Sequence, residues 1–408
     1  MKMLKNNGLL FTALLVVSLL LPNYVFCAEK PEPESSRHTS PKILTLLIYN
    51  HVDKQSANRF EQMFKTGEFD FDFCLKERPF FCFGGNVLHY AALKGDLKRV
   101  KELIAKGADI NATGAFKQTV LHYAAESGNL ELVQWLIEQG ADINAKTEFR
   151  WTVLHSAAVS GNMELVQWLV KQGMDVSATA TFGSALHPAA VSGNLDLVKW
   201  LVGQGVDIKE KANFGNALNY AAESGNLEMV QWFTEKGLDF NTKLAFDMTA
   251  IHFAAESGNL KLVQWLVEHG ADLNAVSESG YTAVYFAALS GNLEMVQWLN
   301  KQGLDIKAKS NDGDTVIHFA VRSGNTELVQ WLIEQGFNVN ERNKNGYTPL
   351  HNAAVSGNLK MVQWLVEHGA DVSAKGAGGK TAADSALEYN NPDVAQWLIK
   401  QSKKEKMQ

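Results

Sequence analysis

The chain has 408 residues, 46% of them hydrophobic and 20% charged, with a formal net charge of -6 and a sequence pI of about 6.0. A chain of that length splits into roughly two or three ordinary domains, unless it is an array in which each unit leans only on its neighbours. The mild acidity excludes a general electrostatic attraction to nucleic acid.

Lys2 and Lys5 precede an apolar run from Leu9 to Leu21, which Pro22 and Asn23 end. Val25 and Cys27 then stand three residues and one residue before a cut at Ala28. Charge, apolar run and fairly small residues, in that order, make a secretory signal over residues 1–27. The run is shorter than the roughly 20 residues that span a bilayer. The expectation is export, cleavage after Cys27, and a mature chain with no stable membrane span, periplasmic or secreted. Lipid attachment at Cys27, which the bulky Phe26 disfavours, and an uncleaved anchor are the alternatives. Residues 28–41 carry Pro31, Pro33 and Pro41 among polar residues and read as a flexible leader.

In residues 42–83, Leu46-Leu47-Ile48 and then Phe60, Met63 and Phe64 before Gly67 predict a helix pair. Residues 68–83 follow as a loop rich in phenylalanine and holding Cys74 and Cys82. In an oxidising compartment those two thiols can form a disulfide. The alternative is two buried thiols, because the separation of the two Cα atoms decides the matter.

From residue 84 the chain repeats itself, and the repeat outranks any local reading. His89, His122, His155, His187, His252, His318 and His351 recur in one phrase, with Asn219 and Tyr285 in the two other slots. The spacing is 33 residues, except for 32 before His187 and before Asn219. From the second slot onward a Ser-Gly-Asn follows, then Val-Gln-Trp-Leu or a close variant, then Gly-Ala-Asp or its equivalent. Most units carry a small Ala-Ala pair, and apolar residues at helical spacing, as in Leu132-Val133-Gln134-Trp135-Leu136-Ile137, make a stripe to be buried. The array is expected over 84–400. Thr381-Ala382-Ala383-Asp384 and Asn391-Pro392 mark a closing unit, and residues 401–408 form a basic tail.

This pattern resembles the ankyrin repeat. Thr348-Pro349-Leu350-His351-Asn352-Ala353-Ala354 and Gly369-Ala370-Asp371 carry the family's two signatures. The resemblance implies an all-α ankyrin-repeat solenoid of about ten repeats, each a hairpin finger and two antiparallel helices. Residues 42–83 then become a degenerate capping repeat with an enlarged finger. The resemblance further implies that each slot histidine bonds finger backbone, and that the residue after it faces the concave groove.

No phosphate loop, nucleophile elbow or metalloprotease motif is present. Gly376, Gly378 and Gly379 before Lys380-Thr381 mimic a phosphate loop but fall where a finger belongs. Histidines in register suggest a metal ladder, yet packed helices stand roughly 10 Å apart and ligands must lie about 2 Å from zinc. Catalytic residues, metal and cofactor are therefore all expected to be none.

Three ladders remain. Trp135, Trp168, Trp200, Trp232, Trp265, Trp298, Trp331, Trp364 and Trp397 share one second-helix position, for packing or for a convex contact. Phe116, Phe149, Phe182, Phe214 and Phe246 share one finger position, where later repeats carry Ser279, Asp312 and Asn345. Their fingers lack the family's Asp-x-x-Gly turn, so the rings either stack on one another or form a contact surface. After the histidine slot come Tyr90, Tyr123, Tyr220, Phe253, Phe286 and Phe319, with Ser156, Pro188 and Asn352 in the other three places. Aromatics are enriched at interface hot spots; packing against neighbouring helices is the alternative. The expectation is a monomeric, non-enzymatic scaffold that clamps a protein partner, either an envelope protein or one in a host, as in exported bacterial ankyrin proteins. A self-associating envelope component and, more remotely, an enzyme are the competing readings.

Overall fold

The computed structural model describes residues 87–212 and 215–405. The expected signal, leader and capping segment with Cys74 and Cys82, and Phe214, lie outside the described residues, as does the end of the tail. Two compact units divide between Leu238 and Asp239.

In the first unit the helices come in pairs: α1 (Val87–Leu93) with α2 (Leu97–Ala105), α3 (Val120–Ser127) with α4 (Leu130–Glu138), α5 (Val153–Ser160) with α6 (Met163–Lys171), α7 (Leu186–Ser192) with α8 (Leu195–Gly203), and α9 (Ala217–Glu223) with α10 (Leu227–Glu235). The second unit holds α11 (Ala250–Glu256) with α12 (Leu260–Glu268), α13 (Ala283–Leu289) with α14 (Leu293–Lys301), α15 (Val316–Ser323) with α16 (Thr326–Glu334), α17 (Pro349–Val355) with α18 (Leu359–Glu367), and α19 (Ala382–Glu388) with α20 (Pro392–Glu405). Within each unit every odd-numbered helix packs on the next odd-numbered helix.

The sequence sets each helix end. Thr119 begins α3, and Gly128 ends it in the left-handed conformation at φ 75°, where glycine carries no Cβ penalty. Asn129 caps α4 by accepting from the Leu132 N–H at 3.1 Å. The same asparagine donates from Nδ2 to the Gly95 carbonyl at 2.8 Å, one repeat back. Asn162 does this to Gly128 and Asn325 to Gly291. One side chain thus caps its own helix and fastens it to the previous repeat.

The cores repeat accordingly. Ala124, Ala125, Leu132, Val133 and Leu136 are fully buried, as are Ala157, Ala158, Leu165, Val166 and Leu169 in the following pair. Alanine lets the first helices approach closely, while each buried leucine contributes about 2 kcal/mol of apolar transfer.

The fingers differ in build. Two form hairpins: Thr179–Ala180 (β1) pairs with Gly183–Ser184 (β2), and Lys211–Ala212 (β3) with Gly215–Asn216 (β4), both antiparallel. These are the two fingers shortened by one residue, which tightens the turn to the length of a two-residue hairpin loop. The fingers at Phe116 and Phe246 keep full length without a glycine at the turn, where Lys117 and Asp247 stand instead. Phe116, Lys117, Phe246 and Asp247 all take φ between 52° and 61°, a conformation that costs non-glycine residues roughly 1 kcal/mol each. The later fingers place Gly280, Gly313 and Gly346 at that turn.

Candidate protein-binding surface

The histidine row is a set of latches. The Thr119 N–H donates to Nδ1 of His122 at 3.3 Å, and the threonine hydroxyl lies 2.8 Å from the same nitrogen. Nδ1 is therefore the acceptor and Nε2 carries the proton. Nε2 donates to the Trp151 carbonyl of the next finger at 3.2 Å. His155 bonds Gly183 O in the same way, His252 bonds Ala275 O, His318 bonds Tyr347 O and His351 bonds Lys380 O. Tyr285 performs the task with its hydroxyl, which donates to Ala308 O and Asp314 O. Burial pushes His89, His122, His155 and His252 down to about 4, with the carbonyl bond opposing it. These rings are neutral donors that hold fingers in place, and their nitrogens are already engaged in that task.

Two slots depart from the pattern. Among the described residues neither ring nitrogen of His187 has a hydrogen-bond partner, and the Glu210 carboxylate stands 3.9 Å from its Nδ1. The finger that follows His187 is one of the two short ones. The side-chain amide of Asn219 is likewise buried without a hydrogen-bond partner among the described residues.

The aromatic row after the histidine slot divides by burial. Tyr123 is 3% exposed, and Phe286 and Phe319 are 1% exposed. These three rings are packing elements. The Tyr281 ring, from the finger one repeat earlier, stands 4.9 Å from Phe319 and covers it. Tyr90, Tyr220 and Phe253 are half-buried. Lys94 sits over the Tyr90 ring at 5.2 Å. The Tyr220 hydroxyl is enclosed, and burial and then the Glu223 carboxylate push its pKa above the ordinary range.

Three of the finger phenylalanines touch one another with tilted rings. Phe116 and Phe149 have centroids 5.2 Å apart, and Phe149 and Phe182 5.5 Å apart. Phe182 is 2% exposed, whereas Phe116, Phe149 and Phe246 are half-buried. Backbone bonds run beside the rings: the Glu148 N–H donates to Phe116 O and the Thr181 N–H to Phe149 O. In the second unit the Asn311 N–H donates to Ser279 O and the Lys344 N–H to Asp312 O, with no aromatic ring in either place. The backbone ladder is therefore common to both kinds of finger, and the rings add to it.

All nine ladder tryptophans are half-buried. Trp265 stacks on His269 at 4.2 Å and Trp364 on His368 at 3.8 Å, while Lys101 lies over Trp135 at 5.4 Å. The phosphate-loop mimic is a finger: Lys380 pairs with Glu388 at 2.7 Å, and its carbonyl receives His351. Among the described residues, no group of three or more His, Cys, Asp or Glu is placed to hold a metal ion, and no helix is long and apolar enough to cross a membrane.

The second bond of the asparagine caps was not foreseen from sequence. Its only signal was the recurrence of asparagine, rather than serine or aspartate, at that place in every repeat from Asn129 to Asn391.

A family model for ankyrin repeats, described as three copies, matches in overlapping segments that together run from residue 35 to residue 408. The chain belongs to the ankyrin-repeat family. Its finger-and-helix-pair units, latched by Thr-His boxes, are ankyrin repeats. No curated protein matches the chain. Among solved structures, the human ASB11 ankyrin repeat domain is similar at 27% identity, covering 53% of this chain and 97% of that one, with a TM-score of 0.40.

Proposed function

We propose that this ankyrin array is an exported, monomeric, non-enzymatic scaffold that binds a protein partner through its first helices and fingers. Ankyrin repeats serve generally in protein interaction, and that is the starting point. The observation that carries the reading is the division of labour within the repeats. Five slot histidines, with their threonines, and the capping asparagines bond finger or helix backbone and hold the fold, His122 and His351 among them. What varies from repeat to repeat is the first-helix row. There Tyr90, Tyr220 and Phe253 are half-buried, and aromatics bury large area at low entropic cost on binding. The order of residues in 1–27 supports delivery to the periplasm or beyond.

The test is capture of a partner from envelope and host extracts by residues 28–408, beside a Tyr220→Ala/Phe253→Ala variant with unchanged circular dichroism. A partner held by the wild type and lost by the variant supports this surface. Equal capture moves the contact to the fingers or the tryptophan row. A size measurement giving a stable oligomer, with no captured partner, replaces this reading with self-association.

A further inference from the structure

Arg322 lies in the last turn of α15, four residues after His318. The same place in the other repeats of the second unit holds Glu256, Leu289, Val355 and Glu388, so Arg322 is the one cation of that row. Its side chain is half-buried, and its Nε is fully enclosed with no hydrogen-bond partner among the described residues. Burial draws its pKa down to about 10, with Tyr389, Asp314 and Tyr281 opposing the shift.

The carboxylate that acts on it electrostatically already accepts two hydrogen bonds. Asp314 accepts from the Tyr281 hydroxyl at 3.3 Å and from Asn343 Nδ2 at 2.9 Å. An enclosed guanidinium N–H without an acceptor is costly, and the planar fork is suited to a carboxylate. Tyr389, within electrostatic range, is 40% exposed.

We propose that Arg322 is the docking point for a carboxylate on an acidic segment of the protein partner, with the exposed Tyr389 ring packing against that segment. The proposal rests on the protein-binding reading above and adds the chemistry of the ligand. An acidic side chain arriving there pairs with the guanidinium nitrogens other than the enclosed Nε, without displacing an ion pair among the described residues.

The probe is a random dodecapeptide phage library panned on the whole protein and on Arg322→Gln. Both are first matched by circular dichroism and thermal melting. If Arg322→Gln loses its helical signal, Arg322→Lys carries the comparison, because it keeps the charge and loses the fork. The expected result is enrichment of Asp and Glu in the wild-type pool. A synthetic selected peptide should bind wild type roughly tenfold tighter than the variant, as one charge-assisted bond implies. Tyr389→Ser should weaken the same peptide by a smaller factor. Acidic peptides that bind both proteins equally overturn the proposal. Selected peptides without acidic enrichment also overturn it and leave the protein-binding reading standing. If no peptide is selected, the proposal falls, and an empty capture from extracts would then bring down the broader reading with it.

Discussion

Acidification should loosen this array through its histidine latches. In the first unit His89, His122 and His155 are held near pKa 4, against 6.5 for a free imidazole. Each such shift is worth about 3.4 kcal/mol at full strength. Relaxation and water entry on protonation recover part of that, leaving about 2 kcal/mol per ring. Three rings then remove about 6 kcal/mol, comparable with the whole stability of a typical domain. The direction follows from which state takes the proton first. The folded pKa is the lower one, so the unfolded chain protonates first. Stability is whole above about pH 6.5, falls as pH drops toward 4, and loses nothing further from this source below that. Urea unfolding followed by circular dichroism between pH 7.5 and pH 4.5 measures it. Buried carboxylates contribute to acid unfolding as well, so the decisive comparison is His122→Gln/His155→Gln, which removes two titrating rings. The variant should be less stable at pH 7.5 and show a shallower decline. A wild-type midpoint that does not move with pH, or a variant slope equal to the wild-type slope, refutes the latch argument.

Other substitutions test the packing and the turns. Leu165 is fully buried, and Leu165→Ala should cost about 3 kcal/mol in urea unfolding. Asn162→Ala removes both the cap to Leu165 N and the bond to Gly128 O; a loss of about 1–2 kcal/mol is expected by the same assay. Lys117 sits at φ 60°, so Lys117→Gly should raise the thermal midpoint, by the equivalent of about 1 kcal/mol. A fall instead would show that the flexibility gained by the unfolded chain outweighs the strain removed.

Much of this protein was legible in one sequence. The 33-residue period, the Ser-Gly-Asn turn and the Val-Gln-Trp-Leu stripe determine where helices begin, end and bury themselves, because caps and helical spacing are local properties. The Thr-x-x-His spacing is local too: it brings His122 Nδ1 to the Thr119 N–H within one turn. The two fingers with a deleted residue were also visible in the spacing, and they are the two that form hairpins.

What the stack alone decided lies between residues about one repeat apart. Tyr123 and Tyr220 occupy the same slot with the same side chain, yet Tyr123 is enclosed and Tyr220 is half-buried. Their helices are built alike, so neighbouring repeats set the difference. Phe319 is buried because Tyr281, on an earlier finger, covers it. Arg322 Nε has no acceptor among the described residues, while Asp314 accepts from Tyr281 and Asn343, which arrive from the fingers on either side of it. Sequence periodicity specifies which residues share a row. Which of them are covered, paired or left open depends on the side chains that stacking brings against that row.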